Sequence, residues 1–367
     1  MGKPRRRKQK KQVKQPLNLR TFEHTAYADE LQQLECAGDL PAFVTESVAG
    51  AYTKADARRV IEGFGEAVER PVTLRANALI SSADEVTTAL KEAGIACRRA
   101  PWYQDAFIID KATVADLWSL EIYREGKIYL QSLSSMMPPL VLGARPGEDI
   151  LDMCAAPGGK TTQIAALAKG KAHLTACEMS VPRAEKLEAN LVRQHAKNVQ
   201  VMRLDARELD EFFRFDRILL DAPCTGTGTV VHGNEKSLRG LSPQLLEKCA
   251  RSQRALLDRA MSALKPGATL VYSTCSILPQ ENEDALAEAL DKHGECELIP
   301  LNGTPSASEL RRTQNTDEAP RIEHNPLTEA VAKGMVPTVA NGMPGTLTIP
   351  PTRDYEGFFV ALVKKLV

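Results

Sequence analysis

The 367-residue chain has no apolar run near the roughly 18 residues that cross a membrane. Its basic N-terminus has no apolar h-region, so a secretory leader is not expected. Eight cysteines (Cys36, Cys97, Cys154, Cys177, Cys224, Cys249, Cys275 and Cys296) include no Cys-x-x-Cys pair, and the six histidines show no zinc spacing. These gaps argue against a metal site and a disulfide framework. They suggest reduced thiols in a cytoplasm, some of them reactive. Net charge is zero, yet the remaining composition, 43% hydrophobic and 26% charged, is ordinary for globular domains.

The charge is unevenly placed. The first 20 residues hold nine Lys and Arg (Lys3, Arg5, Arg6, Arg7, Lys8, Lys10, Lys11, Lys14, Arg20) and no acid, which leaves −9 on the remainder. Residues 1–20 therefore read as a disordered basic tail. Such arms commonly touch nucleic acid, although a solubility tail has the same composition. Residues 21–70 read as helical, with Leu31, Leu34, Leu40, Val60, Ile61 and Phe64 at loosely helical spacing and no catalytic signal. Residues 71–126 read as a small α/β domain, in which Ser82 and Glu85 fit the capping box of a helix over 82–93. Arg75, Arg98, Arg99, Trp102 and Tyr103 mix cations with aromatics there. That mixture suits single-stranded RNA, and a solvated face beside a core aromatic would look the same.

Residues 127–367 are expected to form one further domain. It is organised around Asp152-Met153-Cys154-Ala155-Ala156-Pro157-Gly158-Gly159-Lys160-Thr161. An apolar run from 149 enters this stretch as a buried strand, and a helical pattern leaves it. Strand, tight small-residue turn and helix make the first unit of a nucleotide-binding α/β sheet. The helix N-terminus offers unpaired N–H groups to an anion. A P-loop is excluded, because the glycine required five positions before Gly159 is Cys154. A nucleoside without a triphosphate fits better.

From 149 to about 290, strand and helix patterns alternate, which predicts a doubly wound parallel sheet with helices on both faces. Ligands of such sheets bind at the carboxyl ends of the strands. Those ends carry Asp152, then Glu178, Asp205-Ala206-Arg207, Asp221-Ala222-Pro223-Cys224 and Ser273-Thr274-Cys275-Ser276. Glu178 follows Gly159 by 19 residues, near the spacing at which an acid accepts ribose hydroxyls. Asp205 could meet an adenine amino group. Cys224 and Cys275 both follow strands and could face one cleft. A buried cysteine alone is usually a small hydrophobe. As a pair beside a nucleoside site, they suggest addition of a thiolate to C6 of a pyrimidine, which makes C5 nucleophilic towards an activated methyl group. A second group must then help remove the C5 proton and release the thiolate. Residues 300–350 look loop-rich, and 358–363 read as a final buried strand, which makes the loops an insertion.

Three motifs together resemble the RsmB/NOP/Sun family of RNA cytosine-5 methyltransferases: 152–161, Leu220-Asp221-Ala222-Pro223-Cys224-Thr225-Gly226-Thr227-Gly228, and the Tyr272–Glu283 stretch around Thr274-Cys275-Ser276. Gly357-Phe358-Phe359 is similar to the family's last strand, and the resemblance covers about 71–367. It implies a Rossmann-like, doubly wound class I methyltransferase sheet preceded by a small α/β RNA-binding domain that includes Arg75 and Asn77. It implies S-adenosyl-L-methionine held by Cys154, Ala155, Ala156, Pro157, Gly158, Gly159 and Lys160, with Glu178 on the ribose, Asp205 near the adenine, and Arg183 at a basic position after the ribose-binding acid. Glu178 stands where many members have Asp. Asp221 is implied beside both methyl donor and target base, Cys275 as nucleophile and Cys224 as the cysteine needed for release. DNA cytosine methyltransferases use the Pro-Cys cysteine as nucleophile; two cysteines point to the RNA family. The expectation is a cytoplasmic, metal-free monomer acting on unstacked cytosine in ribosomal RNA first, transfer RNA second.

Overall fold

The computed structural model describes residues 27–313 and 325–366. The basic tail expected over 1–20 lies outside the described residues.

Short runs, three of them with β-branched or aromatic residues, make a four-stranded antiparallel sheet: β1 (Val72–Ala76), β2 (Cys97–Arg99), β3 (Ala106–Ile109) and β4 (Ile128–Leu130), in the order β2-β3-β1-β4. The helix Ala83–Glu92 starts at the expected capping box, with both Ser82 and Glu85 side chains engaged. β4 pairs with β1 through Leu74, Arg75 and Ala76, so this sheet reaches past residue 126, where the sequence suggested a boundary.

The larger sheet contains β5 (Asp149–Asp152), β6 (His173–Cys177), β7 (Val199–Met202), β8 (Phe215–Asp221), β9 (Leu264–Thr274), β10 (Cys296–Ile299), β11 (Leu347–Ile349) and β12 (Phe358–Lys365). Its order is β10-β12-β9-β8-β5-β6-β7, and β11 also pairs with β12. The run β7-β6-β5-β8-β9 is parallel, as the alternating pattern predicted. Beyond β9 the sheet turns antiparallel, because β12 lies between β9 and β10 and runs opposite to both. The sheet is therefore mixed rather than wholly parallel. Strand order reverses about β5, which places a crevice at the carboxyl ends of β5 and β8. The 300–350 stretch, read as loops, holds the helices Ala307–Thr313 and Pro326–Ala332 and contributes β11, which pairs with β12.

The residues expected to face RNA behave differently. Arg75 is fully buried; its guanidinium donates to Gln131 Oε1 at 3.1 Å and to Thr162 Oγ1 at 3.1 Å, on the far side of the seam between the two sheets. Asn77 Nδ2, also buried, donates to Gly126 O at 2.9 Å and Gln194 O at 2.8 Å. Trp102 Nε1 donates to Tyr355 OH at 2.8 Å, and Arg98 and Arg99 pair with Asp354 and Asp84. A domain seam needs buried donors and large rings, the same residue types that a nucleic-acid face needs. Arg75 and Asn77 thus pin the small sheet to the large one. Arg75→Ala should cost about 2–4 kcal/mol, since it leaves a void and strands Gln131 and Thr162. Urea unfolding followed by circular dichroism measures it; an unchanged midpoint would contradict the pinning role.

The N-terminal helices Ala42–Ala51 and Lys54–Glu66 share a core with Val230, Ile277 and Leu278. Tyr52 OH donates to Ile277 O at 2.7 Å. The segment without a catalytic signal therefore braces the loop that carries Cys275.

Candidate active site

β5 delivers the chain into the small-residue turn. Gly158 lies at φ 106°, where side chains are strained, and a Cβ there would meet Leu187 Cδ1 at 3.0 Å. The helix Gly159–Leu167 begins at once. Thr161 Oγ1 donates to Asp152 Oδ2 at 2.7 Å, which ties the helix back to the strand. Asp152 is buried, and burial pushes its carboxyl up to about 6, partly offset by the Thr161 hydrogen bond.

Two pockets adjoin at Cys154. One, over the ends of β5–β7, has apolar walls of Met153, Pro223 and Leu256 and carries Glu178, Arg183, Asp205 and Arg207. Glu178 is buried; its carboxylate accepts from Ser180 N at 2.8 Å and pairs with Arg183 at 3.2 Å. Arg183 also donates to Ala156 O at 2.9 Å, so it links the second strand's acid to the turn. Asp205 forms a forked pair with Arg207, whose hydrogen bond holds its carboxyl below the ordinary range. Apolar walls flanked by acids suit a nucleoside, and each carboxylate retains lone pairs for ribose or amino donors.

The second pocket, about 310 Å³, is open at one end and holds Lys160, Asp221, Cys275, Ser135 and Phe358. Lys160 Nζ pairs with Asp221 Oδ2 at 2.7 Å, donates to Ser135 Oγ at 2.8 Å, and lies 5.5 Å from the Phe358 ring centroid. Burial pulls the Lys160 ammonium down, but the Asp221 charge and hydrogen bond, with Cys275, more than reverse this and leave it above its usual value. Ser273 Oγ donates to Asp221 Oδ1 at 2.8 Å. Asp221 is thus held from both sides, by β9 and by the turn.

Cys224 Sγ and Cys275 Sγ lie 3.3 Å apart. Their loops are tied together. Gly228 N donates to Cys275 O at 2.9 Å, Thr227 and Ser276 hydroxyls meet at 2.9 Å, and Gly357 N donates to Gly228 O at 2.8 Å. A Cβ on Gly228 would lie 2.0 Å from Gly357 O, so only glycine permits this approach. Buried Glu281 accepts from Thr225 N at 2.8 Å and Thr225 Oγ1 at 2.5 Å, which fixes the turn after Cys224. The hydrogen bond with Cys275, then burial, hold the Cys224 thiol well above its ordinary value. Burial does the same to Cys154, and raises Cys177 to about 12. Those two sulfurs pack beside the turn as neutral thiols.

Every residue picked out from the strand ends therefore meets in these adjoining pockets or directly beside them. Sequence reasoning missed the roles of Ser135, Glu281 and Phe358, and it named Ser273 at a strand end without a role. Phe358 sat in a quoted motif, but nothing in it marked the ring as a neighbour of Lys160. Among the described residues no group of three or more His, Cys, Asp or Glu could hold a metal ion, and no helix is long and apolar enough to cross a membrane.

Close by, Glu283 is 3% exposed and both its carboxyl oxygens lack a hydrogen-bond partner among the described residues. Burial pushes it up to about 8 from an ordinary 4.5. Between those values the native state binds a proton that the unfolded chain has lost. Stability must therefore fall as pH rises through the window, with the full penalty above 8. Glu283→Gln should remove this slope and stabilise the protein at pH 9 by roughly 3–5 kcal/mol relative to wild type. Parallel unfolding midpoints of the two proteins at pH 6 and pH 9 would contradict it.

Residues 139–364 match the family described as 16S rRNA methyltransferase RsmB/F. Ribosomal RNA small subunit methyltransferase F of Shewanella amazonensis is 34% identical over 299 residues, covering 80% of this chain and 58% of that protein. The protein of the same name from Cronobacter sakazakii is 37% identical over 316 residues, covering 83% and 59%. The chain spans about three fifths of the length of these relatives. The solved structure of a methyltransferase homologue from Pyrococcus horikoshii is 28% identical, with a TM-score of 0.70, and covers 93% of this chain and 100% of that one. NSun6 from Pyrococcus horikoshii, 22% identical with a TM-score of 0.69, covers 89% of this chain and 98% of its own and shares the fold.

Proposed function

Since the chain belongs to the 16S rRNA methyltransferase RsmB/F family, we propose that it transfers a methyl group from S-adenosyl-L-methionine to C5 of a cytosine in small-subunit ribosomal RNA. The observation that carries this reading is the pair of sulfurs 3.3 Å apart, one of them in the cleft with the Lys160–Asp221 pair and next to the pocket that carries Glu178 and Asp205.

The turn Cys154–Lys160, Glu178, Arg183 and Asp205 would hold the cofactor, with Glu178 facing the ribose and Asp205 the adenine. When bound, the cofactor supplies an electrophilic methyl group. All other steps fall to the protein. The cytosine must leave its stack to enter the cleft. Asp221, oriented by Lys160 and Ser273, would accept from the cytosine amino group. Cys275 lines the cleft and would add to C6 as thiolate, which puts electron density on C5. Cys224 lies next to it with a thiol that resists ionisation. The hydrogen bond with Cys275 and burial keep a proton on Cys224, directly beside the sulfur that must leave the base. That placement supports Cys224 in the release of Cys275.

The test uses the full chain, S-adenosyl-L-methionine labelled in its methyl group, and 30S subunits, free small-subunit RNA, transfer RNA and DNA as acceptors. Label recovered as 5-methylcytosine from the ribosomal substrates alone is the expected result. Label in another polymer, or in a different nucleoside, would overturn the reading.

A further inference from the structure

We propose that Cys224 and Cys275 also form a reversible oxidative modification site, in which a peroxide converts the pair into a disulfide that stops turnover and shields Cys275 from irreversible oxidation.

The geometry points there first. The sulfurs are 3.3 Å apart, and a bond of about 2.0 Å needs an approach of only about 1.3 Å. Each cysteine follows a strand rather than sitting within it, so the approach can be made by the turns that follow β8 and β9. Those turns are already joined by the Gly228–Cys275 and Thr227–Ser276 contacts, which keep the sulfurs together. Cys275 lines the open cleft, so a small oxidant can use the route open to the substrate. Lys160 lines the same cleft as Cys275.

The chemistry balances with one peroxide. The Cys275 thiolate attacks a peroxide oxygen; the O–O bond breaks, hydroxide leaves and collects the proton that the thiol gave up, and Cys275 becomes a sulfenic acid. The Cys224 sulfur then attacks the Cys275 sulfur; the S–O bond breaks, and hydroxyl departs as water with the Cys224 proton. Two thiols have lost two electrons, and one peroxide has become two waters. A dithiol reverses the bond by exchange. Without Cys224 the sulfenic acid loses the thiol 3.3 Å away and can proceed to sulfinic and sulfonic acid. Neither sulfur lines the pocket that carries Glu178 and Asp205. The loss of turnover rests on the proposed methyl transfer; the disulfide itself does not.

The full chain is treated with hydrogen peroxide, the remaining thiols are alkylated, and peptides are mapped without reduction. The expected product is a Cys224–Cys275 cross-linked peptide lighter by two hydrogens, with RNA methylation lost and then restored by dithiothreitol. In Cys224→Ser, Cys275 should collect sulfinic and sulfonic acid at least about tenfold more than in wild type. Equal over-oxidation of Cys275 in both proteins, or oxidation that leaves the pair unlinked, would overturn the proposal. A cross-link formed in a protein that methylates no RNA before or after treatment would contradict the methyltransferase reading and leave this one standing.

Discussion

Cys275→Ala should reduce methyl transfer by about 10³-fold or more while cofactor affinity stays within about twofold. The alanine keeps the fold, because the Cys275 backbone, not its sulfur, accepts the Gly228 hydrogen bond. It takes away the one thiol of the pair that lines the cleft with Lys160 and Asp221. The remaining candidates are poorly suited to replace it. Cys224 resists ionisation, and Cys154 does so by burial. Equilibrium binding of S-adenosyl-L-methionine, measured beside single-turnover transfer, separates a lost nucleophile from a disturbed pocket. Transfer within tenfold of wild type would remove Cys275 from the chemistry.

Asp221→Ala should be nearly as severe, with kcat lowered by about 10²–10⁴-fold. Asp221 has three neighbours to satisfy. Lys160 supplies its counter-charge at 2.7 Å, Ser273 orients the other oxygen at 2.8 Å, and in the proposed reaction the incoming base would be the third. Removing the carboxylate also leaves the Lys160 ammonium, only 13% exposed, without its opposite charge. Asp221→Asn keeps size and a hydrogen-bond acceptor for Ser273 but loses the charge. If orientation of the amide oxygen suffices, Asn should recover part of the rate. Equal kcat for Asp221→Ala and wild type, on saturating RNA, would exclude the residue from the reaction.

The turn at 152–161 was legible because its signal is local: an apolar strand, small residues and a helix in one short window. The strand-end residues Glu178, Asp205, Asp221, Cys224 and Cys275 were legible once the parallel order was inferred, because that order sends every such end to one edge. What lies across the sheet was not. The Lys160–Asp221 pair joins residues far apart in sequence, and Ser135 and Phe358 reach Lys160 from a helix and from β12. The chain offers many lysines and serines with equal local claims. Arg75 carried two readings, an RNA contact or a solvated face, and is buried instead for a physical reason: a buried seam and an RNA surface both demand strong donors, and only burial distinguishes them. The support of the Cys275 loop by Tyr52 spans 225 residues and has no local trace. The antiparallel return of β12 was equally hidden, since an apolar strand reads the same in either direction.

The division of labour between the two cysteines is tested most directly by trapping. Wild type, Cys224→Ala, Cys275→Ala and the double variant are each incubated with small-subunit RNA and S-adenosyl-L-methionine, then separated under denaturing conditions. A covalent protein–RNA species should accumulate in Cys224→Ala, where Cys275 adds but cannot be released, and should vanish in the double variant. The same species in Cys275→Ala but not in Cys224→Ala would reverse the roles, and its absence from every variant while methylation continues would contradict the covalent route.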